Sequence, residues 1–215
     1  VMILALFYPI AYMVWGSFHD WDPSQSLGEA DYIGLGNYIK LLGDAAFHTS
    51  FWITLIFAFT VVAGEMVLGV GLALLLDRNI RGMSVLRTLF ILPMMIAPVV
   101  VGLVWRYMFH ATYGTFNRFL ESIGLPKVDW LGQNPLLSVI IADIWQWTPF
   151  IFILALAALQ SLPRSALEAA RIDGATPWQQ IIHIKLPLMM PVLIVTALLR
   201  LIDAFKVLEV ILVMT

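Results

Sequence analysis

Two carboxylates lie where a polar side chain has no water to turn to. Glu65 sits among Val61, Val62, Met66 and Val67, and Asp143 sits within the stretch VIIADIWQWTPFIF. An ionised group at the centre of a membrane costs on the order of 3 kcal/mol even on lenient insertion scales, so each acid must face protein or a water-filled path. Two kinds of chemistry fit: a buried polar group that locks helices together, or a group on a transport path. The stretch LLRLIDAFKVLEV adds Arg200, Asp203 and Lys206 at i, i+3 and i+6. On a helix Arg200 and Asp203 share a face and are expected to neutralise one another, as are Asp203 and Lys206. Pro149 removes a helix hydrogen bond beside Trp145, Trp147 and Phe150, and kinked, aromatic-lined helices suit either a path or plain packing. The candidate pathway residues are therefore Glu65, Asp143, Trp147, Phe150 and Asp203.

Catalytic chemistry is not written in the sequence. His19, His48, His110 and His183 fall in separate segments without metal-ligand spacing, there is no cysteine, and no GxxxxGK[ST] phosphate cradle occurs. The expectation is a chain with no catalytic residues, no metal ligands and no nucleotide hydrolysis of its own. A net charge of −2 with scattered basic residues gives no nucleic-acid footprint.

The elements that must position these groups follow from composition. Of 215 residues, 61% are hydrophobic and 12% charged, against roughly 25% charged in an average soluble domain. Apolar runs long enough to cross a bilayer recur with polar spacers between them. The expected fold class is all-α, a polytopic transmembrane helical bundle with five spans at 1–18, 51–76, 89–109, 136–159 and 188–213. The connection 160–187 is the most polar long stretch. Both ends of the sequence lie within apolar runs, which reads as the core of a longer protein. Lys and Arg concentrate on the cytoplasmic side of membrane proteins. Arg78, Arg81, Arg87, Arg164, Arg171 and Lys185 occupy the loops 77–88 and 160–187, whereas Lys40, Arg118 and Lys127 occupy the other two. That bias places 160–187 in the cytoplasm. The first loop, with Asp20, Asp22, Glu29, Asp31 and Asp44, then faces out. Gly64, Gly69 and Gly71 are expected to let a neighbouring helix approach, and Pro93 and Pro98 imply kinks in the third run.

The polar stretch reads as two helices around an elbow. Ser161 can cap a first helix with Pro163 in its first turn, RSALEAARI favours helix, and Gly174 after Asp173 can take the left-handed terminating conformation. Thr176, Pro177 and Gln179 form a capping-box start for a second helix that runs to Pro187. Ala169, Ala170, Gly174 and Ala175 make a small-residue surface flanked by Glu168 and Asp173, suited to a docking partner; an amphipathic pair lying on the membrane is the blander reading.

These residues carry a resemblance. EAARIDGA followed by WQQIIHIKLPLMMP resembles the EAA loop of inner-membrane permease subunits of binding-protein-dependent ABC importers. YIGLGNYIKLL, GLALLLDRNIRG, RTLFILPMMIAPVVVGLVWRYMF, YGTFNRFL and LLRLIDAFKVLEVILVMT look like its carbohydrate branch, which includes the maltose transporter. The resemblance implies a six-span core, a second permease subunit, an extracytoplasmic binding protein that delivers a sugar, and two cytoplasmic ATPases that bind ATP and Mg. It also implies that Glu168, Ala169, Ala170, Asp173 and Gly174 couple this chain to an ATPase, and that the protein resides in the inner membrane of a prokaryote. Closure of the ATPases would pull the elbow, rock spans three to five, and open a cavity near Glu65, Asp143 and Trp147. An importer of glycerol phosphate or a polyol, and a secondary transporter using Glu65 or Asp143 as a proton site, are the alternatives.

Overall fold

The computed structural model describes residues 2–22, 28, 30–77 and 82–215, which fall into two compact units, Val1–Thr54 and Leu55–Thr215. Glu29, Arg78 and Arg81 lie outside the described residues, and of Arg164 only the backbone is described.

The first unit begins with the apolar helix α1 (Met2–Gly16), whose 15 residues are fewer than the ~20 of a full crossing. A short antiparallel pair follows, β1 (His19–Asp20) with β2 (Asp31–Tyr32), His19 standing opposite Tyr32. Asn37 of α2 (Gly36–Leu42) fastens the turn by donating to the carbonyls of Ser17 and His19 at 3.0 and 2.9 Å. The buried His19 ring lies between Trp15 and Tyr32.

The helix α3 (Ala45–Leu76) contributes its residues from Leu55 onward to the second unit. There follow α4 (Met83–Ile91), prolonged by a 3-10 turn at Leu92–Met95, α5 (Pro98–Met108), α6 (Thr115–Ser122) and α7 (Pro135–Gln160). The chain then forms α8 (Arg164–Ile172), α9 (Pro177–Gln180), a π turn at Ile181–Lys185, α10 (Leu186–Ala204) and α11 (Glu209–Met214). Among the described residues three helical stretches are long and apolar enough to cross a membrane, Ala45–Leu76, Pro135–Gln160 and Pro177–Ala204; the bent pair Arg87–Met95 and Pro98–Met108 makes a fourth if counted as one span.

Glycines set the α3–α7 contact. A Cβ on Gly64 would stand 2.6 Å from Ile144 Cδ1, and one on Gly69 would stand 2.7 Å from Ile151 Cβ. At Gly69, where the neighbours are Ile151 Cβ and the Phe152 backbone, only hydrogen fits, and the small residues of α3 let α7 approach closely. Gly71 departs from the expectation, since nothing lies within 4 Å of its would-be Cβ. Buried residues gather around α7 in two clusters, one with Phe57, Val61, Val101, Trp105 and Phe109, the other with Val70, Ile151, Phe152 and Met189.

The local sequence anticipates some helix ends and not others. The third run does bend at its prolines, and sharply: Ile96 and Ala97 are extended, Pro98 opens α5, and the two pieces meet at 99°. A residue before proline is pushed out of the α region, which explains the site of the break. The second helix of the elbow does not stop at Pro187 but runs on to Ala204. The π turn just before it shifts the hydrogen-bond pattern where proline has no N–H to give. The fifth run is likewise not one span: α10 ends at Ala204, and α11 starts at Glu209. Pro149, by contrast, stays inside α7, where the Thr148 hydroxyl donates to the Ile144 carbonyl at 2.6 Å.

Candidate functional site

Arg200 organises the buried polar groups. Rather than pairing with Asp203 on its own helix, it reaches Glu65 on α3 and Asp143 on α7. Its Nη2 donates to Glu65 Oε1 at 2.9 Å and to Asp143 Oδ2, and its Nε lies 2.8 Å from Glu65 Oε2. All three side chains are at most 1% exposed. The guanidinium carbon sits 5.0 Å from the centroid of the Trp147 ring, a cation–π distance. The physical reason for the exchange of partners is desolvation. A guanidinium with a planar fork of donors is stabilised more by two buried carboxylates than by an exposed one beside it on the same helix. Three helices, α3, α7 and α10, are thereby tied at one point.

A cavity of about 160 Å³ opens beside this knot, lined among others by Pro98, Asp143, Trp147, Arg200, Asp203 and Lys206. Asp203, exposed near the end of α10, belongs to its rim. Glu65 is sealed behind Arg200 and does not line it. Phe150 does not line it either, but packs in the apolar cluster around Ile151 and meets Trp147 edge-on at 6.4 Å. Sequence reasoning passed over Gln146. Its side chain is 1% exposed and its Nε2 donates at 3.0 Å to the carbonyl of Ile96, at the point where the third run breaks. Non-helical backbone at membrane depth requires such a partner. A polar amide one turn from Asp143 in an apolar helix was the available signal.

The elbow at the other end of α7 is built as its residues require. Ser161 does not cap α8; its hydroxyl donates back to Ala158, and Pro163 occupies the cap position without a side-chain bond. At the far end Gly174 takes φ +78°, the N–H of Gly174 bonds to the Arg171 carbonyl, and the N–H of Ala175 bonds to the Ala170 carbonyl at 2.9 Å. That is the Schellman ending, and it needs a residue without a Cβ penalty at Gly174. Thr176 and Gln179 then exchange side-chain bonds to each other's backbone N–H, completing the capping box. Glu168, Ala169, Asp173 and Gly174 are exposed, while Ala170 is buried. Two apolar side chains stand out from the same elbow, Ile172 at 86% and Trp178 at 68% exposure.

With this geometry in place, comparison with known proteins decides the family. The sequence profile described as "Binding-protein-dependent transport system inner membrane component" matches residues 65–215. The chain belongs to that family. This is a family of inner-membrane transport components, not of enzymes, and the several membrane-length apolar helices of this chain fit a multi-pass protein. The Trehalose/maltose transport system permease protein MalF of Thermococcus litoralis is 36% identical over 217 residues, covering 100% of this chain and 73% of that protein. The sn-glycerol-3-phosphate transport system permease protein UgpA of Yersinia enterocolitica is 36% identical over 217 residues, covering 96% of this chain and 72% of that protein. A crystal structure of a bacterial ABC transporter involved in the import of the acidic polysaccharide alginate matches with a TM-score of 0.80 at 26% identity, over 96% of this chain and 70% of that one.

Within this inner-membrane component the matched region contains the whole Glu65–Asp143–Arg200 knot, both helix breaks and the elbow. Of the pathway candidates, the fold brings Glu65, Asp143 and Trp147 together around Arg200 and leaves Asp203 on the cavity rim. The five elbow residues form a separate group, of which Glu168, Ala169, Asp173 and Gly174 face outward and Ala170 is buried beneath them.

Proposed function

We propose that the chain is a permease subunit of an ATP-driven importer for a sugar, forming part of the translocation pathway. Its partners on this reading are a second permease subunit, an extracytoplasmic binding protein, and two cytoplasmic ATPases that carry the ATP and Mg chemistry. The observation that carries the coupling assignment is the elbow: Ile172 and Trp178 present uncovered apolar surface on either side of a rigid glycine turn, with Glu168 and Asp173 beside them. An apolar patch rimmed by acids is how a docking surface looks before its partner arrives. Glu168, Ala169, Ala170, Asp173 and Gly174 are its core. The Arg and Lys bias of the loops supports a cytoplasmic position for it, on the side of the ATPases.

The charge of the cavity supports a neutral cargo. Arg200 is already engaged by two carboxylates, and the lining holds Asp143, Asp203 and Glu209 against Arg200 and Lys206. A phosphate ester would meet net repulsion there, so a sugar is favoured over glycerol phosphate, although a relative carries that substrate's name. Closure of the ATPases would pull the elbow and rock the spans around the cavity that Asp143 and Trp147 line.

The test is Gly174→Val in the assembled complex, with Glu168→Arg beside it. A β-branched residue at φ +78° costs at least about 1–2 kcal/mol locally. ATP-dependent uptake is expected to collapse and the ATPase to co-purify poorly, while the permease itself still assembles. Full uptake by Gly174→Val would overturn the coupling assignment.

A further inference from the structure

One turn of α7 fastens the breaks of two different spans. At Ile96 the backbone is extended, and Gln146 Nε2 supplies the donor that the Ile96 carbonyl lacks, at 3.0 Å. Three residues earlier Asp143 holds Arg200, little more than one turn before α10 ends at Ala204. Beyond the breaks, α5 and α11 are tied to each other. Arg106 Nη1 donates to the Val213 carbonyl at 2.9 Å, and Gly102 admits Val213 so closely that a Cβ there would lie 3.0 Å from Val213 Cβ. Pro98 of α5 and Val210 of α11 both line the charged cavity. The two short helices thus form one wall, joined to the preceding segments by non-helical stretches at Ile96–Ala97 and at 205–208, continuing beyond Phe109 toward α6, and packed on α7 through Val101, Trp105, Val210 and Met214.

The two fastenings differ in strength. Arg200 is bound by charge on both sides, whereas Gln146 contributes one neutral hydrogen bond, and its buried Oε1 has no hydrogen-bond partner among the described residues. An amide with its acceptor unused is held by little and has capacity to spare for a second arrangement, because a buried unpaired acceptor disfavours the state that contains it.

We propose that Gln146 is a positioning residue of the transport cycle: by holding the Ile96 carbonyl it keeps the α5–α11 wall seated on α7, and its release lets that wall swing as a unit at the charged cavity. The proposal rests on the transporter reading, and its test separates the two. The sequence contains no cysteine, so Val207→Cys on the cavity lining can report access to a water-soluble maleimide, read by mass on this chain in the assembled complex. Labelling is measured in the nucleotide-free state and in a state trapped with a non-hydrolysable ATP analogue. The reporter is expected to label at different rates in the two states. Gln146→Leu should raise the slower rate about fivefold, the population change that one neutral hydrogen bond carries, and so erase most of the difference. Arg106→Met, at an exposed site where folding is not at stake, should also diminish the difference by uncoupling α11 from α5. If Gln146→Leu fails to assemble, Arg106→Met decides. Equal labelling of the two states in the unsubstituted reporter, or an undiminished difference in the assembled variants, overturns the proposal. Labelling needs no cargo, so loss of uptake by the unsubstituted complex would count against the transporter reading alone.

Discussion

Replacing Arg200 with Met removes the cation that Glu65 and Asp143 share. Both acids and the guanidinium are at most 1% exposed, and the guanidinium contacts both oxygens of Glu65 and one of Asp143. Taking one partner from a buried ion pair typically costs ~3–5 kcal/mol because a charge is left without compensation. Here two carboxylates lose the same partner, so we expect the upper end, about 5 kcal/mol, against a total stability of ~5–15 kcal/mol for an average domain. The matching control is the triple variant Glu65→Leu, Asp143→Leu, Arg200→Met, which buries no charge; exchange of a whole buried ion cluster for apolar residues is often neutral or stabilising. Thermal unfolding of the purified protein in detergent, with yield in the membrane fraction, reads both. Arg200→Met should unfold far below the parent and the triple variant should recover most of the loss. A single variant as stable as the parent would refute the reasoning. A triple variant as unstable as the single would show that shape, not charge, carries the site.

The helix contacts and caps give further tests. Gly69→Ala places a methyl 2.7 Å from Ile151 Cβ and should destabilise by ~1–3 kcal/mol through overpacking, whereas Gly71→Ala, with nothing within 4 Å, should be neutral or gain up to ~1 kcal/mol of helix propensity; thermal unfolding of the pair checks the contrast. Thr176→Ala removes one half of the capping box and should cost ~1 kcal/mol at the start of α9, seen as faster amide hydrogen exchange around residues 178–180.

What could be read in advance divides along physical lines. Lipid demands apolar length, so the runs around Leu55–Leu76 and Pro135–Gln160 were visible as spans. The elbow was visible because Gly174, Thr176 and Gln179 act through neighbours one to four residues away. The partners of Arg200 were not visible. They lie 135 and 57 residues distant along the chain, while Asp203 offers a misleading neighbour at i+3. The break after Ala204 carries neither glycine nor proline in Phe205–Lys206–Val207–Leu208, and α11 beyond it is held by Gly102 and Arg106 of another helix. Prolines did mark the break at Ile96–Ala97, but neither its 99° angle nor the Gln146 hydrogen bond at Ile96, 50 residues away along the chain, is written locally. Local signals fixed local turns; the polar knot and the second break are properties of packing.

On the proposed reading, transport through this chain is driven by ATP on a partner docked at the elbow. Proteoliposomes containing the permease pair, with ATPases and binding protein added or withheld, test it most directly. Sugar uptake should require ATP, the ATPases and the binding protein together, and should not respond to an imposed proton gradient. Uptake that persists without the ATPases and follows the proton gradient would contradict the account.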